Sequence, residues 1–417
     1  MQRPAYPRPM LCKEKNSSAV SIIYCLLADC VLRSQEGVGD APPLEIWRVF
    51  LSRTTHSDTQ RQGELFAAKL SLSTPSPYPV SPYVAMAILQ KAIRRGEAET
   101  ALRAAATLLD QEPARLWRRL AGICFEDIGL GSLETISGVI FAIGARERRR
   151  QFGDDWSAAA AFIVSMCAAP KDRGADDLLI TVSNHPEMKT ARTELRRELP
   201  DKQLMRIGGW GAVLNRASAI VNLVEQSRYG RPDGNLVQVS PTAIWSVLSR
   251  AGCAPDLIEV CKAGHRKTGE TLPMLVALLA QNEPCGSLAP VEHADDPDLT
   301  ETVLLPNGVP AYAYDMFSRE GLAVFDRFLK SRCETARMLT DAIGPAQRRK
   351  VLGGLLFRVE SGLVRRRRQA VISLKLKTLA DEGFTSWVPF DAVSAAKALR
   401  ADLPLLHDLR ARAVLRN

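Results

Sequence analysis

A chain of 417 residues, 46% apolar and 24% charged, holds enough hydrophobic material for a full core, and domains of about 100 to 200 residues would divide it into two or three. That composition excludes a disordered chain. The formal net charge of +9 sits in one place: from Gly344 to Asn417 fifteen Lys and Arg stand against six Asp and Glu, which accounts for the whole excess. A polyanion such as nucleic acid is the partner such a surface favours, ahead of acidic lipid or an acidic protein. Richness in Ala, Leu and Arg, with few β-branched runs, points to a mainly α fold, because these residues lose little on entering a helix. The nine cysteines are scattered, form no CxxC pair and are odd in number, as suits reduced thiols in a cytoplasm.

The apolar stretch Ser18–Leu32 follows a basic N-terminus, but it contains Asp29, lacks a small-residue cleavage site and is too short to span a bilayer. It reads as a soluble helix, and no membrane association is expected. A short helix is expected around Leu44–Ser52, between the breakers Gly37–Pro43 and Ser71–Pro82. Residues 1–80 thus form a partly irregular N-terminal segment, and a helical domain covers 81–282.

Within that domain Ala85, Ile88, Leu89 and Ile93 share one helical face, Gly96 breaks it, and Ala101, Ala105, Leu108 and Leu109 resume it. Pro113 opens a third helix with Leu116, Leu120 and Ile123 inside, giving an antiparallel stack. Further helices are expected at Asp155–Cys167, Asp176–Asn184, Ala212–Gln226, Pro241–Arg250, Pro255–Ala263 and Glu270–Gln281. Polar, breaker-rich residues 283–302 read as a linker. Residues 303–417 read as a basic C-terminal region, with a tight hairpin turn at Asn307-Gly308 and helix from there to the end.

No catalytic motif announces itself. Gly264–Thr271 has the glycine spacing of a phosphate-gripping loop, but Glu270 stands where the lysine belongs. No GxSxG elbow, kinase set, HExxH or EF-hand loop is present, so neither enzyme activity nor a cofactor or metal is expected. Cys261 and His265, four apart on an expected helix, read as a packed Cys beside a surface His. His56, His185, His293 and His407 read as surface residues. The paired acids Asp154-Asp155, Asp176-Asp177 and Asp295-Asp296 read as helix starts, where the helix dipole favours negative charge.

The stretch from Ile88 to Ile136 contains the charged hinge "KAIRRG", an Ala/Leu-rich helix pair and a basic helix ending in "EDIGL". It resembles the helical region that follows the ATPase module in the RarA/MgsA family, the clamp-loader-related AAA+ proteins. "MCAAPKDRGADDLL" (Met166–Leu179) is similar to that family's "APK" element, and "YDMFSREGLAVFDRFL" (Tyr314–Leu329) is reminiscent of its closing segment. The likeness covers Tyr83–Asn184, and the nucleotide-binding motifs that would precede it are missing. It implies a clamp-loader C-terminal-like helical bundle, an oligomerising and DNA-tending part without its motor. The resulting expectation is a non-catalytic nucleic-acid-associated protein in DNA replication, repair or mobile-element maintenance, with an ATPase or replication protein as partner and homo-oligomers possible. The alternative is a protein-binding scaffold or adaptor for a separate ATPase.

Two arginine groups are the candidate nucleic-acid contacts. Arg115, Arg118 and Arg119 share one side of a helix, while Glu126 and Asp127 can accept from the arginines of "KAIRRG" and Gly129 and Gly131 allow a turn with positive φ. Arg365, Arg366, Arg367 and Arg368, read as helical, would cover nearly the full circumference, so at least two should meet solvent or a partner. Glu360 is the one acid between Arg358 and Lys377, which favours phosphate contact over internal pairing.

Overall fold

Ser81 accepts a hydrogen bond from the Val84 amide and Pro82 occupies the first turn, so helix α1 (Pro82–Arg95) begins where a cap and a proline are best tolerated. It ends at Gly96, whose φ of +70° lets the chain reverse into α2 (Ala98–Gln111), and Pro113 opens α3 (Pro113–Ile123). The computed structural model describes residues 73–209, 211–229, 239–282 and 291–415, all of one unit; the helices expected near Ser18–Leu32 and Leu44–Ser52 lie outside the described residues.

After α3 the chain widens into a π-helical turn, Cys124–Ile128, and a 3-10 turn, Gly129–Gly131. Then follow α4 (Leu133–Gly144), α5 (Arg146–Arg149), α6 (Asp155–Ala168), α7 (Gly174–Asn184), α8 (Met188–Arg197), α9 (Pro200–Gly208), α10 (Val213–Tyr229), α11 (Pro241–Arg250), α12 (Pro255–Thr268) and α13 (Leu272–Gln281). Asp154 caps α6 through the Ser157 amide, and Asp176 and Asp177 lie in the first turn of α7. The C-terminal part adds α14 (Arg319–Leu329), α15 (Glu334–Ala342), α16 (Pro345–Leu356), α17 (Val371–Thr385) and α18 (Ala392–Val414). The fold is a mainly α helical bundle. Among the described residues, no helix is long and apolar enough to cross a membrane.

The expected turn at Asn307-Gly308 is present: Gly308 has φ +74°, its amide donates to Leu305 O at 2.8 Å, and Leu304 and Pro310 form an antiparallel bridge. The region is not helical throughout to its end. Residues 362–370 leave the helix between α16 and α17, and Arg367–Arg368 form strand β2 against β1 (His293–Ala294), with His293 opposite Arg368. On its other side Arg367 makes a parallel bridge to Lys171.

Two apolar clusters form the interior. Ile88, Leu120, Phe125, Leu178 and Leu275 belong to the first, built largely from α1 to α13; Phe325, Phe328, Leu352, Leu355 and Leu399 belong to the second, from α14 to α18. Charges line the seam between them. Lys91 donates to Tyr312 O at 2.6 Å and pairs with Asp315, Arg94 donates to Ser361 O at 2.7 Å, and fully buried Arg410 grips Glu360 at 2.8 and 2.9 Å. Burial opposes ionisation of Glu360, but Arg410 and a hydrogen bond from His407 outweigh it and hold its carboxyl at about 2.

Candidate nucleic-acid interface

The "EDIGL" turn places a carboxylate where no water reaches. Asp127 has no exposed surface; it accepts from Arg94 Nε at 2.7 Å and Gln90 Nε2 at 2.9 Å, and also from Arg173 at the start of α7. Glu126, nearer the surface, lies 3.4 Å from Arg94 and 3.6 Å from Arg173. Burial alone would raise the Asp127 pKa, yet Arg94 and Arg173 together hold it well below the usual carboxylate range. Arg173 in turn bonds Asp176. Glu126 and Asp127 therefore join α1, the π-helical turn and α7.

Gly129 has φ +49°, and a side chain there would also strike the Asp172 carbonyl. Gly131 does not take the positive φ expected for it. Its absence of a side chain serves close packing instead, since a Cβ would stand 2.8 Å from the Pro170 carbonyl carbon.

The three α3 arginines have separate environments. Arg115 bonds Glu112 at 2.7 Å and lies 4.6 Å over the Tyr83 ring. Arg119 donates to Gln90 and lies 3.9 Å from Glu126. Arg118 is exposed and makes no ion pair or hydrogen bond among the described residues. Only Arg118 of the three faces solvent without a partner.

The reading of Arg365–Arg368 as a helix with one acid in reach is corrected by the structure. The run is extended, Arg366 adopts φ +55°, and acids arrive from distant chain. Arg367 makes a two-pronged bond to Asp296 at 2.7 and 2.9 Å, and Arg368 reaches Asp172 at 3.0 Å. Arg366 donates to Ala168 O and lies 3.0 Å from His293, while Arg365, half exposed, is 3.6 Å from Asp295. Asp295 and Asp296 do not start a helix, as they were expected to; their carboxylates accept from the Arg366 and Val364 amides at 2.9 Å. Backbone donors left unpaired by the extended run thus find acids from the segment read as a linker.

Around this strand lie three groups to which the sequence reading gave no site role, Asp177 having been read as a helix start alone. Asp172 accepts from Gly174 N at 2.8 Å, from Arg368 and from Ser373 Oγ at 3.0 Å. The Lys171 ammonium donates to Cys167 O at 3.0 Å and Ala169 O at 2.5 Å, and burial pushes it down to about 8. Asp177 lines a shallow depression with Asp172, Arg173, Arg367 and Arg368, is 8% exposed, and has no side-chain hydrogen bond or ion pair among the described residues. The first two lie inside "APKDRG", but the side-chain partners Arg368 and Ser373 of Asp172 lie 196 and 201 residues onward, and Lys171 pairs through its backbone with Arg366 and Arg368, beyond any local pattern.

Of the histidines, His185 is buried rather than on the surface, because its position after α7 packs it against Gly383 of α17. His293 is exposed and His407 bonds Glu360 at 2.8 Å; His56 lies outside the described residues. Cys261 is buried, and the His265 ring nitrogen meets Glu270 O at 2.7 Å. Among the described residues no group of three His, Cys, Asp or Glu could hold a metal ion. The fold and these contacts define a mainly α protein whose densest arginine run ties together distant parts of its own chain. No protein-family model, curated protein or solved structure matches it.

Proposed function

We propose that this is a non-catalytic protein that associates with nucleic acid, most simply DNA, during replication, repair or mobile-element maintenance. The observation that carries the reading is a set of unpaired surface cations. Arg327, Lys330, Arg332, Arg337, Lys350, Lys375 and Lys397 are exposed and make no ion pair among the described residues. Lys350 lies 4.7 Å over the part-exposed Trp387 ring. Cations that the fold does not use internally are available to phosphate groups, and released counterions drive such contacts. The likeness of Tyr83–Asn184 to the helical region of RarA/MgsA proteins, stated above, supports the same class.

The test is binding of labelled single-stranded and forked DNA across a salt series. Affinity should be highest at low salt and fall steadily as salt rises. No binding at low salt, or binding indifferent to salt, overturns the reading; a stable ATPase partner recovered without any DNA binding would replace it with the adaptor role.

A further inference from the structure

Helix α12 packs against α3 and the π-helical turn after it, where Gly264 leaves room for the Phe125 ring. This packing sets the last turn of α12, which carries Lys267, beside the part of α3 that carries Arg118. The short helix α5 reaches the same place. The Arg149 guanidinium lies 4.7 Å over the ring of Trp117, next to Arg118 in the chain, and Arg149 Nε bonds Asp155 at 3.2 Å.

Arg118, Arg266 and Lys267 are exposed and make no ion pair or hydrogen bond among the described residues. Three elements therefore bring cations together; Asp155 is bonded to Arg149, and Glu147 stands in α5. Burial, then Arg149 and Arg118, hold the Lys267 ammonium below its ordinary pKa. Uncompensated like charges are a standing cost to the fold, which an incoming anion would relieve.

We propose that the surface where Arg118, Arg149 and Lys267 meet is a contact site for the phosphate backbone of a nucleic acid. The inference rests on the nucleic-acid reading above and locates one surface for it. Arg146 and Arg148 of α5 and Arg150 just after it are also exposed, so cations continue in the chain on either side of Arg149, which suits a repeating anion better than one isolated ion. The Trp117 ring and the Asp155 carboxylate hold Arg149 in place before binding.

The experiment compares the full-length parent with Arg118→Gln/Lys267→Gln, titrating a labelled short DNA duplex at several salt concentrations. Both residues are exposed and unpaired and repel their neighbours, so the thermal unfolding midpoint should hold or rise and should not fall, which separates a loss of contact from a loss of fold. Losing two phosphate contacts should flatten the log-log salt slope by about 1.8 and weaken binding about 60-fold at 0.1 M salt. A parent that fails to bind overturns the nucleic-acid reading itself. A parent that binds while the double variant keeps its affinity and slope overturns this surface alone.

Discussion

Asp177 is a carboxyl among cations already held by other acids. Arg173 is bonded by Asp127 and Asp176, Arg367 by Asp296, and Lys377 and Arg358 by Asp381 at 2.9 Å. Burial pushes its carboxyl up to about 6; Arg173 and Arg367 pull the other way without cancelling the effect, and Asp381 adds to it. A folded-state pKa above the unfolded value makes protonation favour the native form. Its contribution is therefore best at low pH, is lost as pH rises from about 4 through 6, and is level above that. Asp177→Asn, which keeps the shape without the charge, is expected to raise stability by about 2 to 3 kcal/mol at pH 8 and scarcely at all at pH 4. Urea unfolding at the two pH values checks this, and an equal effect at both would refute it. Asp127 shows the opposite outcome for a carboxyl placed deeper still, because Arg94, Arg173 and Gln90 all point at it. Its role as acceptor was legible in the sequence because Arg94 lies 33 residues away in a neighbouring helix. The solitude of Asp177 was not, since Asp296 and Asp381 take its would-be partners from far along the chain.

At the scale of elements, starts and stops were easiest to read. Pro241–Arg250 forms with the bounds expected, since Ser240 caps it and Pro241 opens it. Residues 365–368 defeated the same reasoning. Arginine is a good helix former, but tertiary partners override that weak preference: Arg365 N donates to Arg94 O at 3.1 Å, Lys171 N to Arg366 O at 2.9 Å, and Arg368 N to Lys171 O at 2.9 Å. The arginines accordingly differ in consequence. Arg367, nearly buried and forked onto Asp296, should cost about 3 kcal/mol when replaced by alanine, because Asp296 is left behind without its cation. Arg365→Ala, at a half-exposed pair of 3.6 Å, should cost less than about 1 kcal/mol. Chemical denaturation of both variants measures the contrast, and equal losses would show that the run acts as surface charge.

For the whole molecule, polarity misled where hydrophobic periodicity did not. The helical class and most of the core were visible in spacing, whereas residues 283–302 read as a linker because they are polar. Those from 291 onward are held in place: Arg95 bonds Thr300 O, Thr302 bonds Glu97 at 2.5 Å, and Asp298 pairs with Arg400 at 2.5 Å. A chain ending at residue 282 would leave Lys91 and Arg94 without Tyr312 O, Asp315 and Ser361 O. Expressed alone, residues 73–282 are expected to keep helical circular dichroism but lose a cooperative thermal transition and bind a hydrophobic dye. A sharp transition in that fragment would show that the seam is dispensable. Strand β2 adds a matter of timing. Arg368 meets Asp172 across 196 residues of sequence, so at synthesis rates of about 5 to 20 residues per second the earlier side of the strand waits some 10 to 40 s for its other half to be made. Until then Lys171 and Asp172 sit in a nascent chain with their later partners still untranslated, a vulnerable interval for a protein whose finished form encloses both.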